Sequence, residues 1–377
     1  MVAELIRTSG EQNVVVLSAM AGTTNTLTEI ATYLYNKNTD GAIEILNALE
    51  EKISLAQGEL LSSHLLTYYL QEQGMDVALL SALDFMRIDM QGEPDNDFIR
   101  ENLQAAMAGQ SAQVYVTQGF ICKNVQGNID NLKRGGSDYT ASLLGASLQA
   151  EEIQIWTDID GMHNNDPRIV KGTQAVHHLH FEEAAELGYF GAKILHPTCI
   201  LPAKLANVPV RLKNTLDPES EGTLIDNHLD RGKIKAVAAK DNIAAIQIKS
   251  SRMLLAHGFL RKVFEIFESY KTSIDMICTS EVGVSMSIDE TTHINEIIHD
   301  LKKYGTVTVD LDMCIICVVG DMDWSNLGFE SKVVKALKYV PVRMVSYGGS
   351  NYNISFLVKE DDKVQALRAL SSIFDAD

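Results

Sequence analysis

No stretch of the chain approaches the roughly 18 consecutive apolar residues that a membrane span requires. Positive charge is scarce: 32 Lys and Arg stand against 50 Asp and Glu, a formal net charge of -18. That balance excludes nucleic acid and anionic membrane as main partners, while leaving room for a local basic site that binds an anionic substrate. Cysteines are few and scattered, at 122, 199, 278, 314 and 317. Cys314-Ile-Ile-Cys317 has redox or zinc spacing, but it lies inside the apolar run Met313–Val319 and reads as buried, reduced thiols in a strand. His177, His178 and His180 are accompanied by no cysteine or paired carboxylate at ligand spacing, so they read as a solvated loop and no metal site is expected. The apolar run Val14–Leu17 is too short for a signal peptide, and a reducing cytoplasm is the expected compartment.

What is present is an ordinary globular composition. The 377 residues are 46% hydrophobic and 22% charged, enough for two or three domains with full cores. Asn13–Met20 reads as a strand buried on both faces. Ala21–Asn25 turns into a mostly helical stretch, about 26–111, broken around Gly74–Pro94 with a short strand at Met75–Leu80. Strands follow at Ala112–Ile121, Ile153–Thr157 and Val208–Leu212, with a helix from Phe181. Strands alternating with helices imply a parallel or mostly parallel α/β sheet, whose ligands sit at the carboxyl ends of strands. Ser18, Gln118, Thr157 and Asp158 lie near such ends.

After about residue 232 the pattern changes to two similar units of βαββαβ type, about 70 residues apart. The second ends on its helix and lacks a last strand. The spare strand Ile234–Lys240 before the first unit is suited to fill that place, which would intertwine the two.

The densest chemistry lies in Arg134-Gly-Gly-Ser-Asp138-Tyr-Thr, just before a helical pattern. Paired glycines let backbone approach a ligand, and Ser137 and Asp138 are suited to capping the helix. The first-turn N–H groups favour an anion, Arg134 offers a fork for a carboxylate or phosphate, and Asp138 offers a charge for an ammonium. One site thereby complements both charged groups of an amino acid. Taken alone, the segment reads better as a tight turn with a capped helix.

Further segments occur in order: Ser18-Ala-Met-Ala-Gly-Thr-Thr-Asn25, Gln57-Gly-Glu59-Leu, Gln118-Gly-Phe120, Trp156-Thr-Asp158-Ile-Asp-Gly161, Asp166-Pro-Arg168, Phe190-Gly-Ala-Lys193-Ile-Leu-His-Pro197 and Gly222-Thr223. Together they resemble the aspartate kinases of the amino-acid kinase superfamily, over nearly the whole chain. The C-terminal repeats resemble the paired ACT domains of that family, and the monofunctional, lysine-inhibited type is nearest. The resemblance implies an amino-acid kinase fold, a mostly parallel central sheet with helices on both faces, followed by two ferredoxin-like ACT domains. It implies a catalytic domain at 1–232, a linker strand plus first ACT domain at 233–310, and a second at 311–377 completed by strand 234–240.

The reaction it implies is phosphoryl transfer from ATP, with Mg2+ held mainly by phosphates and water, to the side-chain carboxylate of L-aspartate. The product is 4-phospho-L-aspartate, the first step toward lysine, threonine and methionine. Arg134 and Asp138 are the expected catalytic pair. Ser18, Thr24, Glu59 and Ser137 join them on the substrate. Thr157, Asp158, His163, Asp166, Arg168 and Lys193 are expected on ATP, with Lys193 just before a helix-breaking His196-Pro197. Met253, Gly258, Phe259, Leu260, Asp275, Thr279, Ser280, Glu281 and Val282 match the effector site, and L-lysine is the expected effector. Such sites form between chains, so a homodimer, extending to a tetramer, is expected. The family opens on a strand carrying Lys-Phe-Gly-Gly-Thr-Ser. This chain starts after it, which points to an N-terminal truncation; the alternative is a catalytically impaired, amino-acid-binding regulatory subunit. Reading the coding sequence upstream for that motif in frame separates the two.

Overall fold

The computed structural model describes residues 2–9, 11–19, 43–133, 135–191, 195–250 and 257–374. Thr24, Arg134, Lys193, Met253 and the turn at Ala21–Asn25 lie outside these residues. The chain divides into two compact units, Met1–Gly161 with Ile194–Asn227, and Met162–Lys193 with His228–Asp377.

The first unit is built on short apolar strands separated by amphipathic helices. Strands β1 (Asn13–Leu17), β2 (Val77–Leu80) and β3 (Val114–Gln118) form a parallel sheet in the order β1-β3-β2, with Asn13 opposite Val114 and Leu17 opposite Gln118. Every residue of β3 is buried, whereas every residue of β1 is only half-buried. The full burial expected for Asn13–Met20 is corrected here: among the described residues β1 pairs with β3 alone and stands at the sheet edge. Helix α1 (Val2–Ser9) precedes β1, and α2 (Ile43–Glu72) precedes β2 through a turn at Gly74. The one-turn helix α3 (Ala82–Phe85) leads to α4 (Asn96–Ala108), whose first turn is capped by Asp95 accepting from the Phe98 N–H at 3.2 Å.

A tight bend after β3 gives the hairpin β4 (Ile121–Lys123) and β5 (Ile129–Asn131), and then α5 (Gly136–Leu148). A second sheet pairs β6 (Ile153–Thr157) parallel to β8 (Val210–Asn214), with β9 (Thr223–Asp226) antiparallel to β8. Helix α5 packs against both β1 and β6. Phe85, Met86, Ile99, Leu103, Tyr115, Ile121, Leu143 and Leu144 form one core cluster, each buried side chain stabilising the fold by about 1.5–3 kcal/mol.

In the second unit, strand β7 (His178–His180) runs into α6 (Phe181–Tyr189). Here the solvated-loop reading holds for the exposed His177 and is corrected for His178 and His180. His180 closes a capping box on α6, its ring accepting from Glu182 N–H at 3.2 Å while Glu183 Oε2 accepts from His180 N–H at 2.8 Å. His178 is half-buried against Asp230, at 3.2 Å. Helix α7 (Pro197–Ala206) belongs to the first unit and brings another correction. His196 is its N-cap and Pro197 occupies its first turn, so the pair starts a helix.

Strands β10 (Ile234–Lys249), β11 (Met276–Thr279), β12 (Gly283–Ile288), β13 (Thr306–Gly320), β14 (Met344–Tyr347) and β15 (Asn353–Lys359) form one antiparallel sheet, ordered β11-β12-β10-β13-β15-β14. The helices α8 (Phe259–Ser269), α9 (Ile294–Leu301), α10 (Phe329–Ala336) and α11 (Lys363–Ser371) accompany it. Two strands expected as separate, Ile234–Lys240 and Ile243–Lys249, are one strand with an irregularity at Asn242, where φ is +59°. Likewise Val307–Asp310 and Met313–Val319 are one strand, kinked at Asp312 with φ of +55°. Asn and Asp tolerate this left-handed backbone better than other side chains. Residues 234–240 run antiparallel to 315–320, whereas 243–249 run beside 306–313 and 283–288. Among the described residues no helix is long and apolar enough to cross a membrane.

Candidate active and effector sites

The Gly-Gly-Ser-Asp turn shows why its order matters. Gly135, with φ of +79°, takes the N-cap seat of α5, and a Cβ there would collide with the Cys199 thiol. Helix begins at Gly136, so Ser137 and Asp138 fall inside the first turn and make no capping bond. The expected capping role of Ser137 and Asp138 is therefore corrected: only glycine fits the left-handed residue and close approach that this turn demands. Freed from capping, the Asp138 carboxyl has no hydrogen-bond partner among the described residues, and burial alone pushes it up to about 6. Behind the turn, Cys199 Sγ lies 3.6 Å from the Gly135 carbonyl. Burial, then the nearby Asp138 charge, pushes this thiol up to about 12, so it stays protonated and serves as packing.

Glu59 sits on the face of α2 that meets the ends of β1 and β3. It is 5% exposed, against the solvated position usual for a helical glutamate. Oε1 accepts from Ala19 N–H at 3.4 Å, while Oε2 is buried without a partner. Burial pushes its carboxyl up, opposed by backbone N–H groups. Ser18 is exposed, and its carbonyl accepts from the Ser62 hydroxyl at 2.7 Å. Two acids that burial holds above the usual carboxylate range are suited to a cationic group that arrives from solution.

The residues expected on the nucleotide divide between the units. Thr157 ends β6, and its carbonyl accepts from Thr215 N–H at 2.8 Å and the Thr215 hydroxyl at 2.6 Å. Asp158 is exposed just beyond. Gly161 and Gly222 both have positive φ and pack where a Cβ at either would strike neighbouring chain, which brings Gly222-Thr223 against the loop after β6. His163, Asp166 and Arg168 fall in the second unit. His163 Nδ1 lies 3.0 Å from the Thr173 hydroxyl. Arg168 forks onto Asp166 at 2.9 and 2.7 Å and holds that carboxyl below its usual range. Among the described residues, no group of three or more His, Cys, Asp or Glu is arranged to hold a metal ion.

Among the expected effector residues, Asp275 lies just before β11, and Thr279–Val282 lie at its far end and in the turn to β12. Gly258, φ +81°, is the N-cap of α8 without a side-chain cap, and nothing lies within 4 Å of where its Cβ would be. Phe259 is buried and Leu260 is exposed at the helix start. Thr279, Ser280, Glu281 and Val282 are exposed around the β11–β12 turn. Asp275 has a fully buried side chain (0% exposed). Its Oδ1 accepts from Lys240 Nζ at 2.8 Å and from the Tyr189 hydroxyl at 2.8 Å, and its Oδ2 has no partner. Lys240 also reaches Asp289 at 2.8 Å and lies over the Tyr189 ring. Burial pushes the Asp275 carboxyl up in spite of Lys240. Burial and the Asp275 carboxylate push Tyr189 up to about 12.

Sequence reasoning did not single out Ser62, Ser63, Thr140, Cys199, Tyr189 or Lys240. Their partners lie 20 to 86 residues away, beyond any local spacing.

Comparison with known proteins places the chain in a family. The sequence matches the amino acid kinase family over residues 1–214, more than half of the chain, and an ACT domain over 316–374. It is 34% identical to the chloroplastic aspartokinase 3 of Arabidopsis thaliana across 84% of this chain, but spans only 60% of that relative's length. It is 30% identical to the aspartokinase of Schizosaccharomyces pombe, covering 87% of this chain and 70% of the yeast protein. The crystal structure of E. coli aspartokinase III in complex with aspartate and ADP is similar with a TM-score of 0.80, at 29% identity over 98% of this chain and 94% of that one. With its amino acid kinase fold, its ACT region and these relatives along most of its length, the chain belongs to the aspartokinase family.

Proposed function

We propose that the chain transfers a phosphoryl group from ATP to the side-chain carboxylate of L-aspartate, giving 4-phospho-L-aspartate. The observation that carries this reading is the half-buried Asp138 carboxyl in the first turn of α5, without a hydrogen-bond partner among the described residues, together with the buried, unpartnered Glu59 oxygen on a helix tied to the bend at Gln118. An amino acid's ammonium supplies the charge both lack. The aspartate and ADP complex of the E. coli relative supports the choice of substrates.

In this reading Asp138 and Glu59 hold the ammonium, and Ser18 and Ser137 line the approach. Arg134, outside the described residues, takes the α-carboxylate. The acceptor carboxylate is ionised at neutral pH, so no strong base is required, and rate comes from in-line placement and from cations that offset phosphate charge. Mg2+ would arrive on the nucleotide, held mainly by its phosphates and water. Thr157 and Asp158 fit the base and ribose of ATP.

The effector reading is inhibition by L-lysine at Asp275 and the β11–β12 turn, supported by the lysine and aspartate complex of E. coli aspartokinase III. Assembly as a homodimer or tetramer through the ACT region belongs to the same reading, as does the entry step of lysine, threonine and methionine synthesis. The free cysteines suit a reducing cytoplasm.

Trapping the acyl phosphate with hydroxylamine while following ADP release tests the chemistry. The expected result is hydroxamate that depends on both ATP and L-aspartate. Aspartate and lysine binding without ATP turnover would replace this proposal by the regulatory-subunit reading.

A further inference from the structure

The bend Gln118-Gly119-Phe120 holds three elements at once. The Gln118 side chain, 1% exposed, uses both ends of its amide. Oε1 accepts from the Ala82 N–H at 2.8 Å, and Nε2 donates to the Ser63 hydroxyl on α2 at 2.7 Å. Ser63 passes its own proton to the Leu60 carbonyl at 3.0 Å. Next, the Gly119 N–H donates to the Leu17 carbonyl at 2.7 Å, pinning the end of β1 beside Ser18. A Cβ on Gly119 would collide with Ser137, so only glycine lets α5 come this close. Then Phe120, at φ of +65°, donates its N–H to the Thr140 hydroxyl of α5 at 3.0 Å.

Glu59 stands one helical turn before Ser63, and Asp138 half a turn before Thr140. The two acids ride on helices that this bend holds, α2 through Gln118 and α5 through Phe120. We propose that Gln118 is a positioning residue of the amino-acid site, setting the separation of Glu59 from Asp138 by fixing α2 through Ser63. This rests on the reading that the two acids grip the ammonium of L-aspartate. Gln118 touches no substrate in it.

The chemistry at 118 is narrow. The neighbours require one acceptor and one donor, at fixed length, in a water-free setting. Leucine has neither, and buried groups left unpaired oppose the observed placement. A glutamate supplies the acceptor, and supplies the donor only when protonated, since its carboxylic acid then copies the amide. Shifts of about 1 Å at a reacting centre cost on the order of a hundredfold in rate.

The test compares the 377-residue chain with Gln118→Leu, Gln118→Glu and Ser63→Ala. Gln118→Leu should raise KM for aspartate by about tenfold or more while KM for ATP stays within about twofold. Ser63→Ala should act in the same direction, and the double variant should be no worse than Gln118→Leu, because both remove one link. Gln118→Glu should recover aspartate affinity, relative to the unaltered chain, as pH falls. A merely structural glutamine would lower Tm without splitting the two KM values and without this pH-dependent recovery; that result overturns the proposal. Failure of the unaltered chain to bind aspartate would sink the functional reading instead. The positioning role is then decided by amide exchange: Gln118→Leu must speed exchange across 59–63 and leave 153–157 unchanged, and equal rates overturn it.

Discussion

Asp138 and Asp275 are the same residue type under the same pressure, and the chain answers it differently in the two. Burial raises both carboxyls. Asp138 stands without a counter-charge among the described residues, whereas Asp275 is already met by Lys240 and by the Tyr189 hydroxyl. A buried acid left uncompensated gains most from an incoming ammonium, and one with a built-in cation gains less and must trade partners. In the proposed reading, the substrate side is therefore set up as a vacancy in charge, and the effector side as an exchange.

The two C-terminal repeats extend the contrast. About 70 residues after Lys240 stands Asp310, and it pairs with Arg343 at 2.9 Å, just ahead of β14 as Asp275 is just ahead of β11. The bridge is repeated with its charges reversed. The framework is kept: Gly258 and Gly328 both cap a helix at positive φ, and Phe259 and Phe329 are both buried beneath it. Core and backbone repeat, while the bridge charges swap places and, in the second repeat, stay partly exposed, Arg343 at 33% and Asp310 at 47%.

The strongest way to break the contrast is Asp138→Ala. Aspartate kcat/KM should fall by about 100- to 1000-fold, the scale expected when a buried charge partner is removed. A fall of less than about threefold in steady-state kinetics would remove Asp138 from the site.

Asp275→Ala should raise the lysine concentration for half-inhibition by about 10- to 100-fold, while Arg343→Gln should leave it within about twofold. Equal responses in a lysine titration would mean that charge sign does not select the effector repeat.

Proton linkage sharpens the Asp138 side. Its folded carboxyl titrates at about 6, above the ordinary 3.8, so its protonated form favours folding. That contribution is present below about pH 4 and is lost as pH rises through 6. Relative to Asp138→Asn, the unaltered chain should therefore lose about 1–3 kcal/mol between those limits in denaturant titrations. The kinetic sign is opposite, because holding an ammonium needs the ionised form: aspartate kcat/KM should rise through pH 6.

Tyr189→Phe should have the smallest effect. It removes one hydrogen bond to Asp275 at the end of α6. Lysine inhibition should shift about two- to fivefold, with Asp275→Ala masking the change in a double-mutant cycle. Additive effects would show that the hydroxyl and the carboxylate act separately.

Strand and helix positions were legible wherever period and composition agreed. Ile153–Thr157 and Gly283–Ile288 fall where alternation and apolar content place them, and the βαββαβ order repeats as the spacing suggests. The places where local reading failed share a cause. Ser137 and Asp138 look like caps from their neighbours in sequence, but the approach of Cys199 from α7 gives the cap to Gly135. Val14–Leu17 look fully buried from composition, but burial depends on which strands lie on either side. His180 looks like part of a loop until Glu183 closes a box around it.

The amino-acid sequence by itself determined the alternation of elements, the tandem repeat, the glycine-rich turn and the acids on which a site could be built, because these depend on chemistry within a few residues along the chain. Only the tertiary structure decided that Glu59 is buried with a bare oxygen, that Gln118 ties its helix to the bend beside Ser137, and that Asp275 meets Lys240 and Tyr189. The hydrogen bonds among them join residues 35 to 86 positions apart. Desolvation and charge pairing are set by what surrounds a group in space, and spacing along the chain carries no record of it.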